Sequence, residues 1–159
     1  MTHSLRLELR VPPDWSRIED VRTAVDLCVR SVCADPDRRE ALSMTAVELT
    51  ENAIKYGRAD DNLVTVTLYD KNGDIVVEVS NPLAPEQDGE QVARRIAWIE
   101  SFPSAADAYQ AAMLQVGAEG RDGVSGLGLA RIAYEGGCRL TSSMQNGVMT
   151  VRAHHSMRD

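Results

Sequence analysis

Val47-Glu48-Leu49-Thr50-Glu51-Asn52-Ala53-Ile54-Lys55-Tyr56-Gly57 is the stretch on which the reading of this chain turns. Leu42, Ala46, Leu49 and Ala53 recur at three- and four-residue intervals, which predicts a helix with one buried stripe that stops at Gly57. Glu48, Asn52 and Lys55 stand at i, i+4 and i+7, so they share another face, about a quarter turn round, bordered by Glu51. Spacing alone leaves two readings of that face. One is a solvated surface in which Glu51 and Lys55 form a helpful i,i+4 pair. The other is a site, because a carboxylate and an amide one turn apart present hard oxygen ligands of the kind hydrated Mg2+ takes beside a substrate's phosphates.

The flanks supply the architecture. Asp35 caps this helix and Pro36 takes its first position, where a missing N–H does no harm. Upstream, Asp14 or Ser16 opens an earlier helix to about Ala34, with Ile18, Val21, Val25, Cys28 and Val32 on one face. Before that, Leu5, Leu7, Leu9 and Val11 alternate at strand period until Pro12-Pro13. Downstream, residues 63–69 and 74–80 read as two strands joined through Asn72-Gly73, a strong hairpin signal. Pro82 and Pro85 end the second strand.

A helical insert follows at about 86–125, expected to serve as a lid over a site. Its first helix carries Val92, Ile96 and Ile99, and its second Tyr109, Met113 and Val116, with a break near Phe102-Pro103. A further helix from Leu127 to Glu135 stops at Gly136-Gly137, and residues 138–144 and 147–153 form a closing hairpin around Asn146-Gly147. Strands and helices do not alternate one for one. The natural solution is α+β: a two-layer sandwich with a mixed, mostly antiparallel sheet and helices on one face, making one domain over residues 1–159.

Ser125-Gly126-Leu127-Gly128-Leu129-Ala130-Arg131-Ile132 opens the last of those helices. Glycines there let backbone N–H groups approach phosphate oxygens, and a helix N-terminus adds partial positive charge. The plain alternative is a glycine-rich helix start needed only for packing.

Together the two stretches resemble the N box and G2 box of the GHKL superfamily, the histidine kinase-like ATPases with the Bergerat ATP-binding fold. The Asn-Ala-x-Lys-Tyr core at Asn52 to Tyr56 is the form seen in histidine kinases, and a Glu four residues before the Asn is the form of RsbW- and SpoIIAB-type anti-sigma serine kinases. The resemblance implies ATP and Mg2+ as cofactors, Asn52 as metal ligand, Glu48 as the base that activates the attacking hydroxyl, and Lys55 as a phosphate neighbour. Ser125, Gly126, Leu127 and Gly128 would form the phosphate-binding helix start. Where the superfamily has Asp-x-Gly-x-Gly, with the Asp accepting from the adenine amino group, this chain reads Asn81-Pro82-Leu83. An Asn carbonyl also accepts that bond, without a charge. The strand ending in Asn, the two insert helices and the apolar closing hairpin resemble SiaB-type kinases, stand-alone proteins that act on a small STAS-like partner.

Composition narrows the function further. The chain has 159 residues, 43% hydrophobic and 26% charged, with few aromatics, so its core is expected to be aliphatic. A formal net charge of −7 argues against nucleic acid and against an anionic membrane surface. Cys28, Cys33 and Cys138 lack metal-ligand spacing and read as reduced thiols. No stretch has the pattern of a signal peptide and no apolar run approaches a membrane span, so a cytoplasmic protein is expected. The histidines, His3, His154 and His155, all lie near the ends, which speaks against a sensor histidine kinase. The leading reading is a protein serine/threonine kinase that phosphorylates a STAS-like partner in a bacterial partner-switching circuit. The alternative is a non-catalytic module that sequesters a partner such as a sigma factor. The resemblance also implies a homodimer paired near the first strand.

Overall fold

The computed structural model describes residues 4–58, 63–119 and 127–158. Ten elements follow one another along the chain: β1 Arg6–Val11, α1 Ile18–Arg30, α2 Pro36–Tyr56, β2 Val64–Lys71, β3 Asp74–Pro82, α3 Gln91–Glu100, α4 Ala105–Glu119, α5 Leu127–Tyr134, β4 Cys138–Gln145 and β5 Val148–Ser156. A short 3-10 turn, Trp15–Arg17, precedes α1, and the Asp14 side chain caps it by accepting from the Ser16 N–H. The strands make one five-stranded sheet in the order β1-β2-β3-β5-β4, and every pairing is antiparallel.

Both hairpin turns are the ones the Asn-Gly pairs predict. Asn72 and Gly73 have φ of 52° and 86°, and Asn146 and Gly147 have 53° and 78°. Positive φ at both central residues gives the turn whose twist matches the paired strands. These turns fix register, so Val64, Val66 and Leu68 lie beside Val79 and Val77, which lie beside Val151 and Ala153. That face carries the buried aliphatic side chains of the sheet. The opposite face is mostly polar, though Val76 is fully buried there, with Glu78 paired to Arg152 at 2.7 Å and Ser80 bonded to Thr150 at 2.9 Å. The expected two-layer α+β sandwich with helices on one face is the fold observed.

Helix α2 is the centre of the second layer. Its N-terminus is capped as the sequence predicts: the Asp35 carboxylate accepts from Asp37 N at 3.0 Å, and Pro36 opens the first turn. Leu42, Ala46, Leu49 and Ala53 are buried, and so are Ser43, Met44, Val47 and Thr50. The helix is therefore enclosed on several sides, by the sheet, α1 and α5. Thr45 and Thr50 tolerate burial because each hydroxyl donates 2.7 Å back to the carbonyl four residues earlier. Helix α1 buries Val21, Val25 and Val29, and ends at Arg30 rather than near Ala34. Val32, beyond that end, is exposed.

All three cysteines are free. Burial pushes the Cys138 thiol up to about 12, so it stays protonated and behaves as a small apolar side chain. No helix among the described residues is long and apolar enough to cross a membrane.

Leu42 is fully buried and lies away from the pocket described below. Leu42→Ala should cost about 2–5 kcal/mol by urea unfolding, through lost transfer energy plus the cavity it leaves. Leu114→Ala, at a side chain 71% exposed, should change stability by less than about 0.5 kcal/mol.

Candidate functional site

A cleft opens between the two layers. Its floor is the sheet (Val79, Asn81, Met149, Val151), and one wall is α2 (Leu49, Asn52, Ala53, Tyr56). The other wall comes from the insert: Leu83, Gln87 and Asp88 from the segment after β3, then Gln91, Val92 and Arg95 from α3, with Leu129 of α5 closing one side. A mostly aliphatic slot with a few polar groups is the usual form of a small-ligand site.

Asn81 sits at the end of β3 and is only 7% exposed. Its amide nitrogen donates to Ala53 O and to Pro82 O, both at 3.1 Å. Ala53 O belongs to the last turn of α2 and also accepts from Gly57 N at 2.9 Å. The Asn81 side chain thus ties the end of β3 to the last turn of α2, as a second donor to a carbonyl that Gly57 N already engages. Gly57 makes this possible, since a Cβ there would collide with the Asn81 nitrogen and with Ala53 O. With both N–H bonds committed, the polar capacity left on the side chain is its carbonyl oxygen, an acceptor. An Asp at this position could not make those two donations.

Asn52 lines the cleft and is half-buried. Glu48 lies one turn earlier with its side chain 18% exposed. Its Oε1 accepts from Arg131 Nη1 of α5 at 3.0 Å, and a Cβ built on Gly128 would lie 2.6 Å from its Oε2 and 3.9 Å from Asn52 Nδ2. Gly128 therefore lets α5 approach both residues of the polar strip, and the two motifs read from the sequence meet in space. Leu127, the first residue of α5, packs against the core. Ser125 and Gly126 lie outside the described residues. Lys55 is exposed and does not line the cleft. Its Nζ stands 5.2 Å from the Tyr56 ring centroid, and it turns to that ring rather than to Glu51. Burial raises the Glu51 carboxyl above its ordinary range and the charge of Glu48 adds to the rise, while Arg22 and Arg131 oppose it.

Sequence reasoning missed Arg131, which also donates from Nε to Glu135 Oε2 at 2.6 Å. Its spacing held a signal: three residues beyond Gly128 on one helix puts both on one face. Sequence reasoning read the insert as a lid but did not name the side chains of α3 that line the cleft, Gln91, Val92 and Arg95. Arg95 stacks over Trp98, 4.0 Å from the ring centroid, and donates to Gln115 of α4 at 3.0 Å, which ties the two insert helices together. Among the described residues no cluster of His, Cys, Asp and Glu could hold a metal ion alone.

No family model matches the chain, and no curated protein matches it either. Among solved structures it is similar to a chain in the crystal structure of the SiaB-SiaC complex from Pseudomonas aeruginosa, with a TM-score of 0.72 and 25% sequence identity. The match covers 93% of this chain and 88% of that one. The fold is SiaB-like.

Introducing an acid by Asn81→Asp should therefore destabilise the protein. A carboxylate would face two backbone carbonyls with no proton to share, a loss of about 3 kcal/mol at neutral pH. The folded-state pKa of the new acid would lie above its unfolded value. The penalty should then be full above that folded pKa and shrink as pH falls through it, because the protonated acid regains one donor. A pH series of urea midpoints, referenced to wild type, checks the sign.

Proposed function

We propose that this chain is an Mg-ATP-dependent protein serine/threonine kinase that phosphorylates a small STAS-like partner in a partner-switching circuit. The observation that carries the proposal is the meeting of Glu48, Asn52 and Gly128 beside an aliphatic cleft that Asn52 and Asn81 both line. A flat purine suits the slot between Ala53, Leu83, Val79 and Val151, and the Asn81 carbonyl is an acceptor of the kind an adenine amino group needs. The similarity to a chain of the SiaB-SiaC complex supports a protein partner.

Bound Mg-ATP supplies the phosphoryl group and the cation that offsets its charge. Asn52 would hold the metal through its amide oxygen. Backbone N–H groups at the start of α5 would face the phosphates, where the helix end favours negative charge. Glu48 would accept the hydroxyl proton of the partner as its oxygen attacks. The insert helices α3 and α4, tied by Arg95, would wall the site from water. Lys55 would reach the phosphates only by leaving the Tyr56 ring. We extend the proposal to a homodimer along β1, an edge strand whose Leu7 and Leu9 are half-buried. A dimer mass by light scattering at tens of micromolar is expected, and a monomer mass refutes it.

A second reading, a non-catalytic module that sequesters a partner, draws on the Glu48–Arg131 ion pair, which already occupies one carboxylate oxygen. Nucleotide binding and transfer separate the two. Mg-ATP at 100 times its dissociation constant should add about 2.7 kcal/mol, seen as a rise in melting temperature that Asn52→Ala abolishes. Glu48→Gln should keep that rise yet slow phosphate transfer about 100-fold or more. No thermal shift with any nucleotide favours the sequestering module. Wild-type transfer by Glu48→Gln removes the base assignment alone.

A further inference from the structure

We propose that Arg131 is a positioning residue that aims Glu48 for proton transfer, an inference that rests on the phosphoryl-transfer reading above. Both oxygens of Glu48 are governed by α5. Arg131 Nη1 holds Oε1 at 3.0 Å, while Oε2 lies in the space that a Cβ on Gly128 would fill, at 2.6 Å. With Oε1 engaged, Oε2 is the oxygen left to take a proton, and it faces the helix start where phosphates would lie. The guanidinium is itself held from behind, because its Nε donates at 2.6 Å to Oε2 of Glu135, just past the end of α5. A planar, forked cation bonded to two carboxylates has little freedom to rotate, so it fixes direction as well as charge. Lysine would supply the charge without that direction.

A purely structural ion pair would not need this arrangement. The Arg131 side chain is 42% exposed, whereas Glu48 is 18% exposed and sits beside Asn52 at the cleft. The pair joins the middle of α2 to the helix that opens with Gly128, so the two motifs are coupled through one side chain.

The test is a kinetic cycle on the full chain with Mg-ATP and its protein substrate, backed by crystal structures of the variants. Arg131→Met should lower kcat about 10- to 100-fold, the range expected when a reacting group is misplaced by about an ångström. The KM for ATP should stay within about twofold, since the cleft residues are untouched. Arg131→Lys should recover part of the loss. In a Glu48→Gln background, Arg131→Met should remove no more than about a further twofold, because a residue acting through Glu48 has nothing left to position. An equal loss in both backgrounds overturns the proposal and leaves the kinase reading intact. Should wild type transfer no phosphate, the kinase reading falls and the crystal structures decide the positioning role. A Glu48 carboxylate that swings away from Gly128 in Arg131→Met and returns in Arg131→Lys supports it, and one that does not move refutes it.

Discussion

The structure depends on enclosing α2. A helix laid on a sheet needs one apolar stripe, but α2 also buries Met44, Val47 and Thr50 because α1 and α5 flank it. Each fully buried aliphatic side chain contributes about 1.5–3 kcal/mol, so the central position of this helix dominates the apolar core. Enclosure also limits where polar groups can go. Thr45 and Thr50 bond back to the helix itself. Glu48 and Asn52 cannot do the same, and they lie along the boundary with α5, beside the cleft. The site is placed at the line where packing of the helical layer stops.

That constraint explains why glycine recurs at two contacts of α2 beside the cleft. At Gly128 the start of α5 comes so close to Glu48 and Asn52 that a side chain would displace the carboxylate. At Gly57 the chain leaves the helix beside Asn81, with no room for a Cβ. Each glycine permits a polar side chain to stand against backbone, and each of those side chains borders the cleft. Asn81 then has two duties that conflict for an acid but not for an amide. Its nitrogen closes the end of α2 through Ala53 O, while its oxygen remains an acceptor. An amide rather than a carboxylate at this position is therefore coherent with this helix terminus.

Much of this was legible in the sequence, for local reasons. Asn72-Gly73 and Asn146-Gly147 specify their turns because two adjacent residues need positive φ. Asp35-Pro36 marks the start of α2 because cap and first position have strict chemical requirements. The polar strip of α2 followed from helical spacing. What was not legible is non-local. Nothing in the last hairpin says that β5 enters the sheet beside β3 and leaves β4 at the edge. Helix α1 ends at Arg30 with the Ser31 hydroxyl bonded back to Cys28 O and no glycine or proline to mark the stop, so spacing carried the helix too far. Lys55 has the right spacing to pair with Glu51, yet its neighbour Tyr56 offers an aromatic face that spacing does not reveal.

Arg131 shows how far such reading can be pushed. A basic residue in the last turn of a short helix has an ordinary explanation, since its charge suits the helix C-terminus and Glu135 lies four residues on. That local account is complete in sequence terms and hides the second bond, to Glu48, 83 residues away along the chain. One guanidinium serves both, because its donors point in different directions within a plane. The local pair with Glu135 fixes the orientation in which the long-range bond is made. A helix-stabilising pair of modest worth by itself thereby becomes the support of a carboxylate beside the cleft, and the short helix α5 acts as the part that carries the glycine motif and the aim of Glu48 together.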